Sequence, residues 1–368
     1  MPDTHDRTLR IDPDITKAET PPGWLYTDPE ITQRLTDRVL ARSWRPVAHD
    51  SDLRVPGSTL PLTFLEGCLN EPLVLTRDWQ DQIHCLSNVC THRAMTLVEH
   101  AGCEKKLTCR YHGRQFDMDG VFRSMPEFKA CQHFPRPDDN LRQIPCAAWQ
   151  GLRFASLDPE HTLEQLTQEM DARVNFLPFS QARFDPTRAR DYLVRANWAL
   201  YVENYLEGFH IPFVHASLAQ ALDYAAYEHE LYPLASLQLG VASGGDDTFD
   251  IPHGHPDHGR NIAAYYYWLF PTTMINVYPW GVSLNDVQPL GMGRCKVRFL
   301  PYVWDESRLD QGAGADLDRV EREDESVVEQ IQRSIGSRHY TTGRYSPTRE
   351  QCVHHFHRLL AERLNAEQ

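Results

Sequence analysis

The sequence predicts an α+β protein in two parts, a small all-β module followed by a larger region in which long strands and helices are combined. Three observations lead there. Between Trp44 and about Ser156, short apolar runs such as PLVLTRDW, QIHCLSNV and GVFRSM are broken by Gly, Asn, Asp and Pro, the texture of short strands joined by turns. Farther along, AAYYYWLFPTTMINVYPWGVSLNDVQP and RCKVRFLPYVW have the length and the aromatic and β-branched content of long strands. Last, DRVEREDESVVEQIQRSIGS repeats its valines and isoleucines at helical spacing.

In chain order, PEITQRLTDRVLARSW places Ile31, Leu35, Val39 and Leu40 at helical spacing, so residues 1–41 form a helical segment that packs on the C-terminal region. The β module takes 42–160 and the third part 161–368. HTLEQLTQEMDARVNFL opens that part as a helix, and DYLVRANWALYVENYLEGFH reads as a helix or as a strand running into one. SGGDDTFDIP and the following HGHPDHGRN make a turn-rich loop over 241–262, long enough to be a lid or an insertion. From about Asp316 to Leu364 the chain is helical. With 368 residues it has the length of two domains and buries roughly 75% of its unfolded surface without disulfide staples.

The charge narrows the function. There are 51 acidic against 37 basic residues, a net charge of -14, which excludes nucleic acid or an anionic membrane as the main partner, since phosphate-rich partners reward an excess of Lys and Arg. It would suit a basic electron-transfer partner. The start, MPDTHDRTLRIDPDITK, has no apolar core of a signal peptide, and no run approaches the ~18 apolar residues of a membrane span. Of nine cysteines, five lie between Cys85 and Cys131. That clustering points to metal binding in a reducing, cytoplasmic setting.

Two of these cysteines belong to short motifs, CTHR and CRYH, which offer Cys90, His92, Cys109 and His112 with sixteen residues between the clusters. Two thiolates and two imidazoles suit a tetrahedral structural zinc. They equally suit a Rieske [2Fe-2S] centre, with two Cys on one iron and two His on the other. Each cluster gives one Cys and then one His, so two facing β-loops can each serve both irons; the order and the β surroundings favour the Rieske centre.

A second set lies in ANWALYVENYLEGFHIPFVH. Glu207 and His210, three apart, share a face if the segment is helical. His210 and His215 are five apart, which a regular helix would place about 140° from each other. Pro212 interrupts the helix between them, and a π-bulge or break there would let both imidazoles converge. A third ligand is offered by the later helix. Its apolar stripe is Val320, Val327, Val328, Ile331 and Ile335, and Asp324 falls in the middle of it. Glu323, Glu325 and Glu329 are expected to point sideways or outward, with Glu321 near the edge. A carboxylate facing a core must be paired or bound to a metal, so Asp324 either joins a 2-His-1-carboxylate iron site or makes a buried salt bridge.

CTHR…CRYHG, EGFHIPFVH and DESVVEQIQ together resemble, in order and separation, the motifs of the terminal oxygenase (alpha) subunits of Rieske non-heme iron oxygenases. The likeness extends from SWRPVAH to the final HHFHRLL. Ala94 stands where these proteins often have Gly, and Arg114 where Trp is frequent; neither change removes a ligand. The resemblance implies a helix-grip catalytic domain, an antiparallel sheet wrapped over helices, behind the Rieske domain. It implies a Rieske cluster on Cys90, His92, Cys109 and His112, and mononuclear Fe(II) on His210, His215 and Asp324. Glu207 would bridge His112 of one subunit to an iron histidine of the next in a head-to-tail homotrimer. Asn204 either lines the iron pocket or packs.

The activity implied is oxygenation of a small organic substrate by O2: hydroxylation, dihydroxylation or oxidative demethylation. The electrons would come from a separate NAD(P)H-dependent reductase, directly or through a ferredoxin, since the chain has no Gly-rich dinucleotide motif following a strand. Glu at position 207 is similar to the quaternary-ammonium members; aromatic-ring dioxygenases often have Asp. The alternatives are a ring-hydroxylating dioxygenase alpha subunit or a Rieske-type electron carrier with a degenerate second site.

Several other groups read as structure. Cys85, Cys103 and Cys131 are taken as packing residues, His253, His255 and His258 as solvated loop residues, and His354, His355 and His357 as packing or capping residues. Tyr265, Tyr267, Phe270, Tyr278 and Trp280 on the strands read mainly as sheet core, as do Tyr201, Tyr205, Phe209 and Phe213 beside the iron segment. Any of these aromatics that lined a pocket would stack on a ring or cage a trimethylammonium group.

Overall fold

In the computed structural model, which describes residues 7–244, 247–315 and 317–366, residues Ala41–Leu163 form one unit and the chain on either side of them another. The first unit is built of short antiparallel strands: β1 (Arg45–His49), β2 (Ser58–Phe64), β3 (Glu71–Arg77), β4 (Ile83–Ser87), β5 (Gly102–Cys103), β6 (Leu107–Thr108), β7 (Gln115–Phe116), β8 (Phe122–Ser124), β9 (Gln143–Ile144), β10 (Cys146–Trp149) and β11 (Leu152–Ala155). They make a sheet β5-β2-β3-β4-β9 and two three-stranded sheets, β6-β7-β8 and β1-β11-β10. Val74, Leu86, Leu97, Leu107, Phe116 and Met118 close a core that also takes in Cys90 and Cys109, so the two thiols are positioned by the packing itself. Cys85 is buried in β4, as expected. Cys103 and Cys131, read as packing residues, are instead exposed: the first lies on a two-residue edge strand with both residues exposed, the second in the turn-rich stretch after β8.

The second unit joins helices α1 (Trp24–Thr27), α2 (Pro29–Leu35), α3 (Leu163–Val174), α4 (Trp198–Tyr205), α5 (Ile211–Val214), α6 (Leu218–Ala221), α7 (Leu317–Ser334) and α8 (Gln351–Asn365) to strands β12 (Arg183–Phe184), β13 (Arg190–Val194), β14 (Glu228–Tyr232), β15 (Ala235–Val241), β16 (Ile262–Leu269), β17 (Thr273–Tyr278), β18 (Gly281–Pro289) and β19 (Cys295–Val303). The strands form one antiparallel sheet, β12-β19-β18-β17-β16-β15-β14, with β13 also paired to β19. This is the α+β arrangement that the sequence predicts.

The N-terminal helix starts where Asp28 accepts the Glu30 N–H at 2.9 Å and Pro29 occupies the first turn. It ends in a π-turn over Thr36–Leu40, and Ile31, Leu35, Val39 and Leu40 are all buried. Arg34 and Arg38 donate to the Leu364 carbonyl at 2.7 and 2.8 Å, satisfying the free C-terminal end of α8. On α8, His354 and His355 are tied to the Asp12 and Tyr232 carbonyls and His357 to the Tyr345 hydroxyl. Trp198 and Trp268 both meet Phe356 edge-on, with centroids 6.0 and 5.5 Å apart, which fixes α8 and α4 against the sheet.

The 241–262 segment is not the solvated loop its composition suggests, although Gly245 and Asp246 lie outside the described residues. Asp257 is buried and receives Arg173 at 2.5 and 2.8 Å, the Tyr265 hydroxyl at 3.1 Å and Arg260 at 3.2 Å. His255 lies 2.7 Å from the Arg173 carbonyl. A buried carboxylate with this many cationic donors holds a Gly- and Pro-rich segment that has little apolar content of its own. No helix of the described residues is long and apolar enough to cross a membrane.

Candidate metal centres

Two loops of the same construction carry the cysteine–histidine pairs. The Cys90 N–H donates to the Met95 carbonyl at 2.8 Å and the Cys90 carbonyl accepts from Ala94 at 3.0 Å; Cys109 repeats this with Arg114 at 2.8 Å and Gly113 at 2.9 Å. In both loops the fifth residue, counting Cys as the first, has positive φ: +57° at Ala94 and +73° at Gly113. That turn returns the backbone past the sulfur, and only at the second loop is the residue a glycine.

The four side chains converge. Cys90 and Cys109 interact directly, and the Cys90 sulfur accepts the His92 backbone N–H. The His92 and His112 rings meet with centroids 4.8 Å apart at 74°. Burial, and the second sulfur beside it, raise the Cys90 thiol, while Nδ1 of His112 is buried without a hydrogen-bond partner. Two adjacent buried sulfurs and an unpartnered imidazole nitrogen are ill-satisfied as free side chains. As donors to a cluster that binds two thiolates on one side and two imidazoles on the other, they fit.

Arg114 lies under this site. It is buried, bonds to the carboxylate and carbonyl of Asp139 at 2.7 and 3.0 Å, and has Phe116, Phe122 and Phe134 within 4.8–5.6 Å of its guanidinium carbon. A planar cation enclosed by aromatic rings thus fills a site where a bulky aromatic side chain would otherwise pack.

The second site is built by a break rather than a bulge. α4 ends at Tyr205, and the chain bends through Glu207 to His210, which caps the N-terminus of the four-residue α5; Pro212 sits in its first turn and His215 follows its last residue at φ −113°, ψ 83°. Glu207 and His210 therefore do not share a helical face. Instead Glu207 folds back to accept the His210 backbone N–H at 2.9 Å. Gly208 permits the bend, because a Cβ there would lie 2.8 Å from the Tyr227 ring. One helical turn with a histidine at each end brings the imidazoles to 5.0 Å between centroids, the convergence that a continuous helix forbids.

Asp324 of α7 closes the group. The His210 and His215 Nε2 atoms are 3.2 Å apart, and Asp324 Oδ1 lies 3.0 Å from His215 and 3.5 Å from His210. Both Nδ1 atoms face carboxylates, His210 on Glu207 at 2.6 Å and His215 on Glu323 at 2.8 Å. Carboxylates only accept, so Nδ1 carries the hydrogen on each ring and the two Nε2 lone pairs face each other across 3.2 Å. A cation between them turns that repulsion into binding. Ligands at right angles on an ion ~2.1 Å away stand ~3.0 Å apart, the scale of this triangle, and two His with one carboxylate is the facial set of non-heme iron. The residues fit the ion. Among the described residues this is the one group of three or more such side chains that are close enough to share a metal.

α7 differs from its expected orientation. Its inward face carries Leu317, Val320, Glu321, Asp324 and Val328, with Glu321 fully buried and Ile331 38% exposed. Glu321, expected at the edge, accepts the Tyr201 hydroxyl at 2.5 Å. Glu323, expected to point away, reaches His215. Asn204 lines the pocket, donating to Asp324 Oδ1 at 2.6 Å. Burial opposes charge on His215, but the adjacent Asp324 and Glu323 carboxylates outweigh this and raise its pKa, while the contact with His215 lowers that of Glu323.

The inner sides of α4, α5 and α7 face a cavity of about 110 Å³. Its floor is the sheet. Gln238, Tyr266, Asn276 and Ser283 pair across β15 to β18, and Asn285 pairs with Phe299 of β19. All of these but Ser283 line the cavity, together with Tyr205, Tyr227 and Tyr278. Tyr265 and Tyr267, flanking Tyr266, do not line it, and Phe209 and Phe213 are exposed.

Residues 180–366 match the ring hydroxylating alpha subunit (catalytic domain), and residues 43–135 match the Rieske [2Fe-2S] domain. The chain belongs to the Rieske oxygenase alpha subunits. It is thus the terminal oxygenase of a multicomponent system, with a [2Fe-2S] cluster and a mononuclear iron, and depends on an electron-transfer partner. The oxygenase is 30% identical to the chloroplastic choline monooxygenase of Arabidopsis thaliana over 370 residues, covering 95% of this chain and 84% of that one. It is 27% identical to the carnitine monooxygenase oxygenase subunit of Escherichia coli (strain K12), covering 94% of both. In fold it resembles a quaternary ammonium Rieske monooxygenase (TM-score 0.77, 22% identity, 96% and 99% covered) and naphthalene 1,2-dioxygenase from Rhodococcus sp. (TM-score 0.70, 19% identity, 95% of each).

Proposed function

We propose that this oxygenase acts on a quaternary-ammonium alcohol of the choline type, adding one oxygen atom next to the nitrogen or at the alcohol carbon. The observation that carries the reading is the cavity wall: several tyrosines and a phenylalanine, three carboxylates, and no lysine or arginine among its described residues. An anionic aromatic acid would enter such a cavity unpaired, whereas a soft cation gains from ring faces and carboxylates alike. The naming of the curated relatives supports the same class.

Under this proposal Cys90, His92, Cys109 and His112 hold the cluster, and His210, His215 and Asp324 hold iron. Held by these residues, the cluster would supply single-electron transfer and the iron would supply O2 chemistry beside the substrate. The chain's own groups set the geometry. Glu207 and Glu323 hold the two imidazole hydrogens on Nδ1, Asn204 orients the Asp324 carboxylate, and the tyrosine-rich floor keeps water from the reacting carbon. We further propose that Glu207, already on His210, also takes the His112 imidazole of a neighbouring subunit in a head-to-tail trimer. A cytoplasmic NAD(P)H-dependent reductase, with or without a ferredoxin, would feed that route.

The test is a peroxide-driven single turnover of the iron-loaded protein against two mixtures, one of choline-, betaine- and carnitine-like compounds and one of aromatic acids. A one-oxygen gain or aldehyde release in the first mixture is expected. A gain of two oxygens and two hydrogens confined to the second would overturn the reading.

A further inference from the structure

Of the three carboxylates in the cavity, Glu207 and Asp324 are engaged by the metal-binding histidines. Glu321 is not. It lies one turn before Asp324 on the same face of α7 and is 2% exposed. One oxygen accepts the Tyr201 hydroxyl at 2.5 Å; the other, Oε1, is buried with no hydrogen-bond partner. Glu321 is outside the group of side chains able to share the metal, yet it lines the same cavity. A buried carboxylate left half-satisfied is expensive to keep, and α7 could place an apolar residue there, as it does at Val328.

We propose that Glu321 is the anionic binding residue for the substrate's ammonium group, its free oxygen aimed at the cationic head while the aromatic floor, Tyr266 and Tyr278 foremost, encloses the methyl groups. The proposal rests on the quaternary-ammonium reading above and gives it a residue. The Tyr201 hydroxyl, in the same cavity wall, holds the carboxylate in place. Tyr266 and Tyr278 meet edge-on with centroids 6.0 Å apart and line the same cavity as the carboxylate. Burial raises the Glu321 pKa; a bound ammonium supplies the charge that offsets this. A methylammonium offers no N–H, so recognition comes from charge and ring faces rather than from hydrogen bonds.

The test compares choline with its neutral isostere 3,3-dimethylbutan-1-ol, titrated calorimetrically into the full metal-loaded protein. The parent is expected to prefer choline by at least ~10-fold, a difference of about 1.4 kcal/mol. Glu321→Gln, with an unchanged cluster spectrum as the check on folding, is expected to bind the neutral compound as before and to lose most of that preference. Glu321→Met gives the same reading should the amide not be tolerated. Tyr201→Phe keeps the charge and is expected to keep the preference. If Glu321→Gln weakens both ligands equally, or retains the preference for choline, Glu321 is structural and the proposal fails while the substrate class stands. If the parent itself shows no preference for the cation, both fail.

Discussion

Glu323 Oε2 lies 2.8 Å from Nδ1 of His215, while the neighbouring Asp324 meets the other nitrogen of the same ring at 3.0 Å. Two consecutive residues of α7 thus grip one imidazole from both sides, one as its orienting acceptor and one beside its lone pair. Removing a carboxylate that orients a metal-binding imidazole in this way typically changes metal affinity by about 10–100-fold. Glu323→Ala should weaken iron binding by that order while leaving the cluster intact. Iron content after dialysis against a chelator, beside the cluster absorbance, measures it.

Ala94 occupies a left-handed position that its counterpart Gly113 fills without strain. A non-glycine residue there carries roughly 1–2 kcal/mol. Ala94→Gly should therefore slow thermal loss of the cluster's colour, and Gly113→Ala should hasten it, since its new Cβ would also stand 3.3 Å from Pro126.

The two metal sites should be separable. Cys90→Ser should abolish the red-brown cluster colour, whereas His210→Ala should keep it and lose the mononuclear iron. Equal loss of colour in both variants would show that the ligands are wrongly divided.

Glu207→Gln preserves an acceptor for His210 but removes the charge. Both metals should be retained while electron transfer into the iron site slows by at least ~10-fold, read as the rate of cluster reoxidation in a single turnover. An unchanged rate would remove Glu207 from the electron route.

Glu321 also gives a pH dependence. Burial, with Asp324 and Glu325 adding to it against the Tyr201 hydrogen bond and Arg322, raises its pKa well above the ordinary carboxylate value. Between the unfolded and folded values the folded chain holds a proton that the unfolded chain has released. Stability contributed by this group is therefore lost as pH rises above about 4.5. Substrate-free Glu321→Gln should show a shallower decline in unfolding midpoint between pH 5 and 8 than the parent.

Much of the candidate site was legible because the side chains that converge there are close in sequence: Cys90 with His92, Cys109 with His112, and His210 with His215 each share a short loop. Asp324 was legible as a carboxylate in an apolar stripe. Glu321 and Glu323 were not, because helical periodicity finds the mean apolar direction of α7 and not the places where α4 and His215 supply a polar partner. Tyr266 was missed for a related reason. Both faces of β16 are buried, so YYY has no polar alternation to show which ring faces the cavity. The 241–262 segment misled because its anchor, Arg173, lies some eighty residues earlier.

The most direct measurement uses the fully reduced, iron-loaded protein mixed with labelled O2, with and without choline. Fast cluster reoxidation only in the presence of choline, with about one labelled oxygen atom per iron in the product, is the predicted result. Reoxidation at the same rate in both samples, with no label in choline, would contradict the account.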